Sequence, residues 1–378
     1  MEFSSCETYT VGAEWELQLL DIDSLDLVPG IGSILHAFAQ DQHVKPEFFQ
    51  SCVELNSPIA TCSTEIKAHF LSLTRQVRQI CQSHGMDLAG AGTHPFCRLL
   101  ALITPLPRYK VLASEHGYLG QTRIAFATHI HIGMKSGDEA IRAMRYLTPC
   151  LPLLIAIAAN SPFWRGHETG YASYRRRLLA ASKSFGIPPY FDSWREFEQF
   201  FQMALRTHSF RSIKDIHWDI RPHPDFGTLE CRVTDAQSTV ADVAFLAGLV
   251  RVMVVWISAT SREGIEGSVP RRLSPWIDRE NHFRASHWGM EADLIHNESG
   301  DTRAIHSYLS KLAKAVADTA NEIGEGHIAK RLAGIALETP GYIQQRVDYQ
   351  KRNNTRDVID ALRNKLHTEL NEKAIAAT

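Results

Sequence analysis

Two glutamates spaced two apart, Glu14 and Glu16 in the run Thr10-Val-Gly-Ala-Glu-Trp-Glu-Leu-Gln-Leu-Leu-Asp21, constrain this chain more than any other feature. The run alternates as a β-strand does, and residues i and i+2 of a strand point to the same face. Two carboxylates held that close repel by about 4 kcal/mol at an effective dielectric near 20. A sheet can carry such a pair if a cation bridges it or if water covers the face.

Three more strand-like runs carry polar groups of the same kind. Phe49 to Pro58 is apolar and β-branched, contains Glu54, and is stopped by Ser57-Pro58. Glu47 lies just before it. In Phe226 to Asp235, alternation places Glu230, Arg232 and Thr234 on one face; in Ile124 to Gly133 it pairs His129 with His131. An exposed acidic face would account for Glu14 and Glu16 alone. It does not account for Glu54 and Glu230, whose flanks are apolar. A lone His-x-His is more often ordinary half-buried strand than a metal site, so the inference rests on the conjunction. Carboxylates from three runs and a histidine pair from a fourth predict one polar cavity over a sheet. Hard oxygen donors there favour Mg²⁺ or Mn²⁺.

With 378 residues and 44% hydrophobic content, the chain can bury a large core. A net charge of −2 and a pI near 6.8 give no electrostatic footprint for a nucleic-acid or membrane partner. The basic triplet Arg175-Arg176-Arg177 reads as a solvated helix face. Seven scattered cysteines, with no Cys-x-x-Cys, read as reduced thiols, and the N-terminus has no secretory pattern; the expected location is cytoplasmic. Leu151–Ala159 is too short to span a membrane. Val240–Thr260 is long enough but carries Asp242 and Arg251. Both read as buried helices.

The pattern predicts a helix over 33–40, a strong amphipathic helix over 63–83, and a short strand and tight loop after Leu88, where Gly90 and Gly92 imply close backbone approach. Helices are expected from Asp138 to Asn160 and over 194–205, with a polar glycine-containing loop over 160–175. Asp219 to Glu230 reads as a rigid turn, and a long apolar helix follows Ser238. From about 291 the chain is mostly helical, with 304–323 and 355–372 clearest. Strands and helices do not alternate as strict βαβ units, so the expected class is α+β, a single catalytic domain over 1–378.

The sequence lacks a P-loop, a complete dinucleotide fingerprint, His-Glu-x-x-His and Gly-x-Ser-x-Gly. A carboxylate-rich cavity with several divalent ions and a few arginines suits nucleoside triphosphates. The ions neutralise the phosphates, and arginines stabilise the group in transfer. Arg232, two residues from Glu230, is expected in that cavity.

Five segments together resemble the type 2 glutamate–cysteine ligase family, the bacterial carboxylate–amine ligases. They are Val11-Gly-Ala-Glu-Trp-Glu, Val53-Glu-Leu-Asn-Ser-Pro, His129-Ile-His-Ile-Gly, the long run Asn160 to Arg175, and Arg221-Pro-His-Pro-Asp-Phe-Gly-Thr-Leu-Glu-Cys-Arg-Val-Thr-Asp-Ala. The resemblance implies a glutamine-synthetase-like, mostly antiparallel sheet forming an open cavity, with helices packed outside. It implies an ATP-dependent ligase that phosphorylates a substrate carboxylate and then admits an amine. Carried over by motif, Glu14, Glu16, Glu47, Glu54 and Glu230 would bind Mg²⁺, with His131 at or near a metal. Arg232 would contact phosphate or the substrate carboxylate, with Arg175 and Arg221 as further phosphate or substrate contacts. The family also suggests a homodimer. Trp15 stands where the family usually has glutamate, but it points to the face opposite Glu14 and Glu16.

The reading that follows is an ATP- and Mg²⁺-dependent carboxylate–amine ligase, acting on glutamate with cysteine as one candidate acceptor. Two other readings stay open at this stage: a metal-dependent hydrolase, and a catalytically weak nucleotide-binding regulatory protein on the same scaffold.

Overall fold

The computed structural model describes residues 1–372; residues 373–378, the end of the expected unit, lie outside the described residues. Its centre is a seven-stranded sheet built around β1 (Val11–Asp21). β2 (Val44–Pro46) pairs with β3 (Cys52–Asn56), and β3 pairs with β1. β4 (Met86–Ala89) pairs with the far end of β1. The other edge of β1 takes β5 (Ala127–Gly133). A small hairpin, β6 (Phe163–Trp164) and β7 (His167–Glu168), stands apart. β8 (Ile220–His223) and β9 (Thr228–Asp235) complete the sheet in the order β2-β3-β1-β5-β9-β8. Every pairing in it is antiparallel, and helices surround it, so the class is α+β.

One face of the sheet is the core. Ala13, Trp15, Leu17 and Leu19 on β1 are buried. Trp15 is fully covered, meets Phe70 edge-on, and donates its indole N–H to the carbonyl of Gln237 at 3.0 Å. Helices Ser63–Ser83, Leu151–Ala158 and Val240–Ala259 pack on the sheet. By length and composition, Gly137–Ala158 and Val240–Ala259 could cross a membrane. However, 72% and 83% of their most apolar windows are buried within the fold, in line with the short apolar run of the first and the internal charges Asp242 and Arg251 of the second. Gly90 and Gly92 do mark close approach. A Cβ on Gly90 would stand 2.0 Å from the Gln237 carbonyl oxygen, and one on Gly92 would stand 2.7 Å from the Asp235 carboxyl carbon.

Three expectations are corrected. Asp219–Glu230 is not only a turn: Ile220–His223 is a strand, and it holds Pro222 because it is the sheet's edge, where a missing N–H costs no ladder bond. Thr234 does not share a face with Glu230. Between the pairs Ile130–Cys231 and Thr128–Thr234, β5 has one residue and β9 has two. This β-bulge turns Thr234 to the core, where its hydroxyl donates to the Thr128 carbonyl. The arginine triplet is not a solvated face either. It opens a five-residue helix, Arg175–Leu179, with Arg175 buried and Arg176 paired to buried Asp219.

Candidate active site

The opposite face of the sheet is the wall of a cavity of about 440 Å³, a size suited to a small-molecule ligand. Register explains how it collects its charges, because residues directly opposite on neighbouring strands share a face. Glu16 stands opposite Glu54, Glu14 opposite His129, His131 opposite Glu230, and Glu230 opposite Arg221. Glu47 joins them from the turn after β2 and accepts the backbone N–H of Phe48. All nine residues expected at the site from sequence (Glu14, Glu16, Glu47, Glu54, His131, Arg175, Arg221, Glu230 and Arg232) line this one cavity.

The acidic groups sort into two trios. Glu14, His131 and Glu230 form one; Glu16, Glu47 and Glu54 form the other. Within each, one ligand atom per residue lies within 4.8 Å of the others. In the first trio, the Arg221 Nε donates to Glu230 at 2.7 Å, and Arg232 pairs with its other oxygen. Burial would raise the Glu230 carboxyl, but Arg221, Arg232 and His131 hold it well below the usual range. Glu14 is likewise held well below by His129, whose Nδ1 lies 3.1 Å away, and by His131, against the pull of burial. The His131 Nδ1 bonds the Thr228 hydroxyl at 3.0 Å. Its Nε2 faces Glu14 at 3.5 Å and Glu230 at 3.8 Å and has no hydrogen-bond partner. A ring fixed through one nitrogen and aimed at two carboxylates through the other is the usual setting of a metal-ligating histidine.

The second trio has no comparable compensation. Burial, then Glu47, pushes Glu16 up to about 8; its Oε2 accepts the Ala127 N–H at 2.5 Å. Burial and the neighbouring carboxylates Glu14, Glu47 and Glu16 push Glu54 well above its ordinary value, and burial and Glu14 raise Glu47. Three carboxylates in mutual repulsion, Glu16 and Glu54 buried and Glu47 half-buried, fit a divalent cation by their chemistry.

The three arginines differ in what they have left to offer. Arg221 commits Nε to Glu230 and Nη1 to the carbonyls of Ile213 and Ile216, so it orients Glu230 first. Arg232 pairs with Glu230 and keeps a buried Nε without a partner. Arg175 has only long contacts, 3.4 Å to the carbonyls of Val233 and Arg232. Sequence reading missed a second group of cations at the cavity: Lys45, Arg108, Arg123 and Lys214. They come from four separate segments, so no local spacing announces them. His223, stacked on Phe226 at 4.1 Å, also lines the wall and was missed because its strand was read as a turn.

Residues 10–361 match the family described as glutamate-cysteine ligase family 2. The chain belongs to that family. A relative from Trichormus variabilis, provisionally named glutamate–cysteine ligase 2, is 38% identical over 98% of this chain and 96% of its own length. One from Bdellovibrio bacteriovorus with the same provisional name is 33% identical, over 95% of each chain. The fold is shared with the glutamate–cysteine ligase of Francisella tularensis, solved in complex with AMP (TM-score 0.66, 11% identity, 98% of this chain and 90% of that one). It is also shared with the bifunctional glutathione synthetase of Pasteurella multocida (TM-score 0.65, 13% identity), of which it covers 53%. This family member is an ATP-dependent ligase that forms a carbon–nitrogen bond.

Proposed function

We propose that this ligase transfers the γ-phosphoryl group of ATP to the carboxylate of an amino acid, glutamate first, and joins the resulting acyl phosphate to an amine. The observation that carries the reading is the pairing of two acidic trios with arginines on one sheet face. A site for a single hydrolytic metal has no need of a second acidic trio or so many cations. In this reading Glu14, His131 and Glu230 hold one Mg²⁺ and Glu16, Glu47 and Glu54 hold another. Bound there, the ions would neutralise phosphate charge that carboxylates alone would repel.

The chain's own groups supply the rest. Arg232 and Arg175 present guanidinium donors to phosphate or to the substrate carboxylate. Arg221 keeps Glu230 ionised and fixed. His129 holds Glu14 through Nδ1 and so sets where that carboxylate points. Lys45, Arg108, Arg123 and Lys214 give the triphosphate and the amino-acid carboxylate further cationic contacts at the cavity wall. The AMP bound by the Francisella ligase supports a nucleotide site on this fold.

The test is an ADP-release screen of amino acids against amines, run with Mg²⁺ and with Mn²⁺. The expected result is ADP and phosphate only when a carboxylate and an amine substrate are both present. Phosphate release without an amine would favour a hydrolase. ATP binding without turnover across the panel would favour a regulatory protein.

A further inference from the structure

Arg175 is a buried guanidinium that no carboxylate grips. Arg221 and Arg232 both pair with Glu230, whereas the carboxylate bridged to Arg175 is Asp235, at 3.9 Å. Asp235 ends β9, and the β-bulge decides where it points. It pairs with Ala127, which alternates in phase with His129 and His131, so it lies on the cavity side of the sheet although it is three residues beyond Arg232. It is not part of the cavity lining but buried behind it, 1% exposed, with Gly92 packed against its carboxyl.

All the short hydrogen bonds of that carboxylate go to the segment that carries Arg175. Its Oδ2 accepts the Asn160 N–H at 2.9 Å and the Ser161 hydroxyl at 2.7 Å, and its Oδ1 accepts the Ser173 hydroxyl at 2.8 Å. The Ser161 hydroxyl oxygen in turn accepts the backbone N–H of Arg175 at 3.1 Å. Both ends of the 160–175 loop are thus tied to one carboxylate. That carboxylate balances the Arg175 charge across 3.9 Å without occupying the guanidinium's donors. A direct bidentate pair would hold the arginine better and leave it less to give a ligand.

We infer that Asp235 is a positioning residue: through Ser161 and Ser173 it holds Arg175 in the cavity with only long contacts to the Val233 and Arg232 carbonyls, so that its guanidinium can take an anionic group, a nucleotide phosphate or an amino-acid carboxylate. This rests on the proposed ligase reading for what binds, but not for the positioning itself. Partners that orient site groups typically contribute about 10–100-fold to affinity or activity.

The experiment compares Asp235→Asn and Ser173→Ala, each alone and combined with Arg175→Ala. Ser173→Ala removes one donor and keeps the charge, so it serves if Asp235→Asn folds poorly. Calorimetric titrations with MgATP and with glutamate assign the anion. We expect about tenfold weaker binding of one of them in Asp235→Asn, a smaller loss in Ser173→Ala, and no further loss in either once Arg175 is already alanine. Equal losses with and without Arg175 would overturn the inference. Nitrogen-15 NMR of the Arg175 Nε–H reads the positioning without any ligand. Its exchange should accelerate in both variants, and unchanged exchange would contradict the inference even if the wild type bound neither probe. Absence of binding in the wild type, with accelerated exchange in the variants, would instead count against the ligase reading alone.

Discussion

The two acidic trios sit side by side on one sheet face and are built on opposite electrostatic plans. Around Glu230, two arginines and a histidine compensate the charge before any ligand arrives. Around Glu16 and Glu54, the close neighbours are other carboxylates, and the buried acids are driven toward their protonated forms. The first trio is therefore fixed by the protein alone, whereas in the proposed reading a cation would complete the second. A site arranged this way gains folding stability from one half and gives it up in the other. A bound metal would recover the lost part, because a ligand that binds only the folded state stabilises it.

The largest expected effect comes from breaking the compensated half. Glu230→Gln leaves Arg221 and Arg232 buried without their shared charge, which should cost about 3–5 kcal/mol of unfolding free energy. Turnover should fall on the order of 10²–10³-fold or more. Urea unfolding and steady-state ADP release check both, and near-normal values would make Glu230 an ordinary strand residue.

Glu54→Gln should act in the opposite direction on stability. Without metal at neutral pH it removes an acid that burial and like charges disfavour, so the variant should gain about 1–3 kcal/mol. Its turnover with Mg²⁺ should still collapse. A loss of stability in EDTA would show that the second trio is not frustrated.

His131→Ala should lower turnover about 100-fold while costing the fold much less than Glu230→Gln, because its Nε2 makes no hydrogen bond within the protein. A large drop in melting temperature with retained specific activity would reassign it to a structural role.

The smallest effect per step is a pH slope. The Glu16 carboxyl is raised from 4.5 to about 8 in the fold, so the folded state binds the extra proton. Its contribution is fully present below about pH 4.5 and is lost as the pH rises toward 8, at no more than about 1.4 kcal/mol per pH unit. Denaturant titrations in EDTA between pH 5 and 8 should show that decline, and saturating Mg²⁺ should flatten it. The carboxyls held low elsewhere, such as Asp219, lose their contribution as the pH falls below the ordinary carboxylate range, so the two windows separate.

Much of this face was legible in the sequence because period-two alternation survives wherever strands are regular. Glu14 with Glu16 and His129 with His131 are such cases, as is the helix over 63–83, set by its apolar stripe. Legibility ended where a regular pattern was broken. One extra residue on β9 moved Thr234 to the core and Asp235 to the cavity side, and no residue type signals that bulge. Pro222 hid an edge strand, and with it His223. Lys45, Arg108, Arg123 and Lys214 meet only through tertiary folding. The arginine triplet was misread because its three identical charges have three different environments: the cavity for Arg175, Asp219 for Arg176, and the rings of Tyr171 and Phe283 for Arg177.

A carboxylate is a poor electrophile toward an amine, and converting its oxygen into part of a phosphate leaving group is the step that would require a polyanion-binding cavity beside an amino-acid site. That step leaves an isotopic trace. Glutamate carrying ¹⁸O in its side-chain carboxylate, turned over with ATP, Mg²⁺ and an accepted amine, should deliver one labelled oxygen to the inorganic phosphate, with ADP as the nucleotide product. Unlabelled phosphate, or AMP and pyrophosphate in place of ADP, would contradict the account.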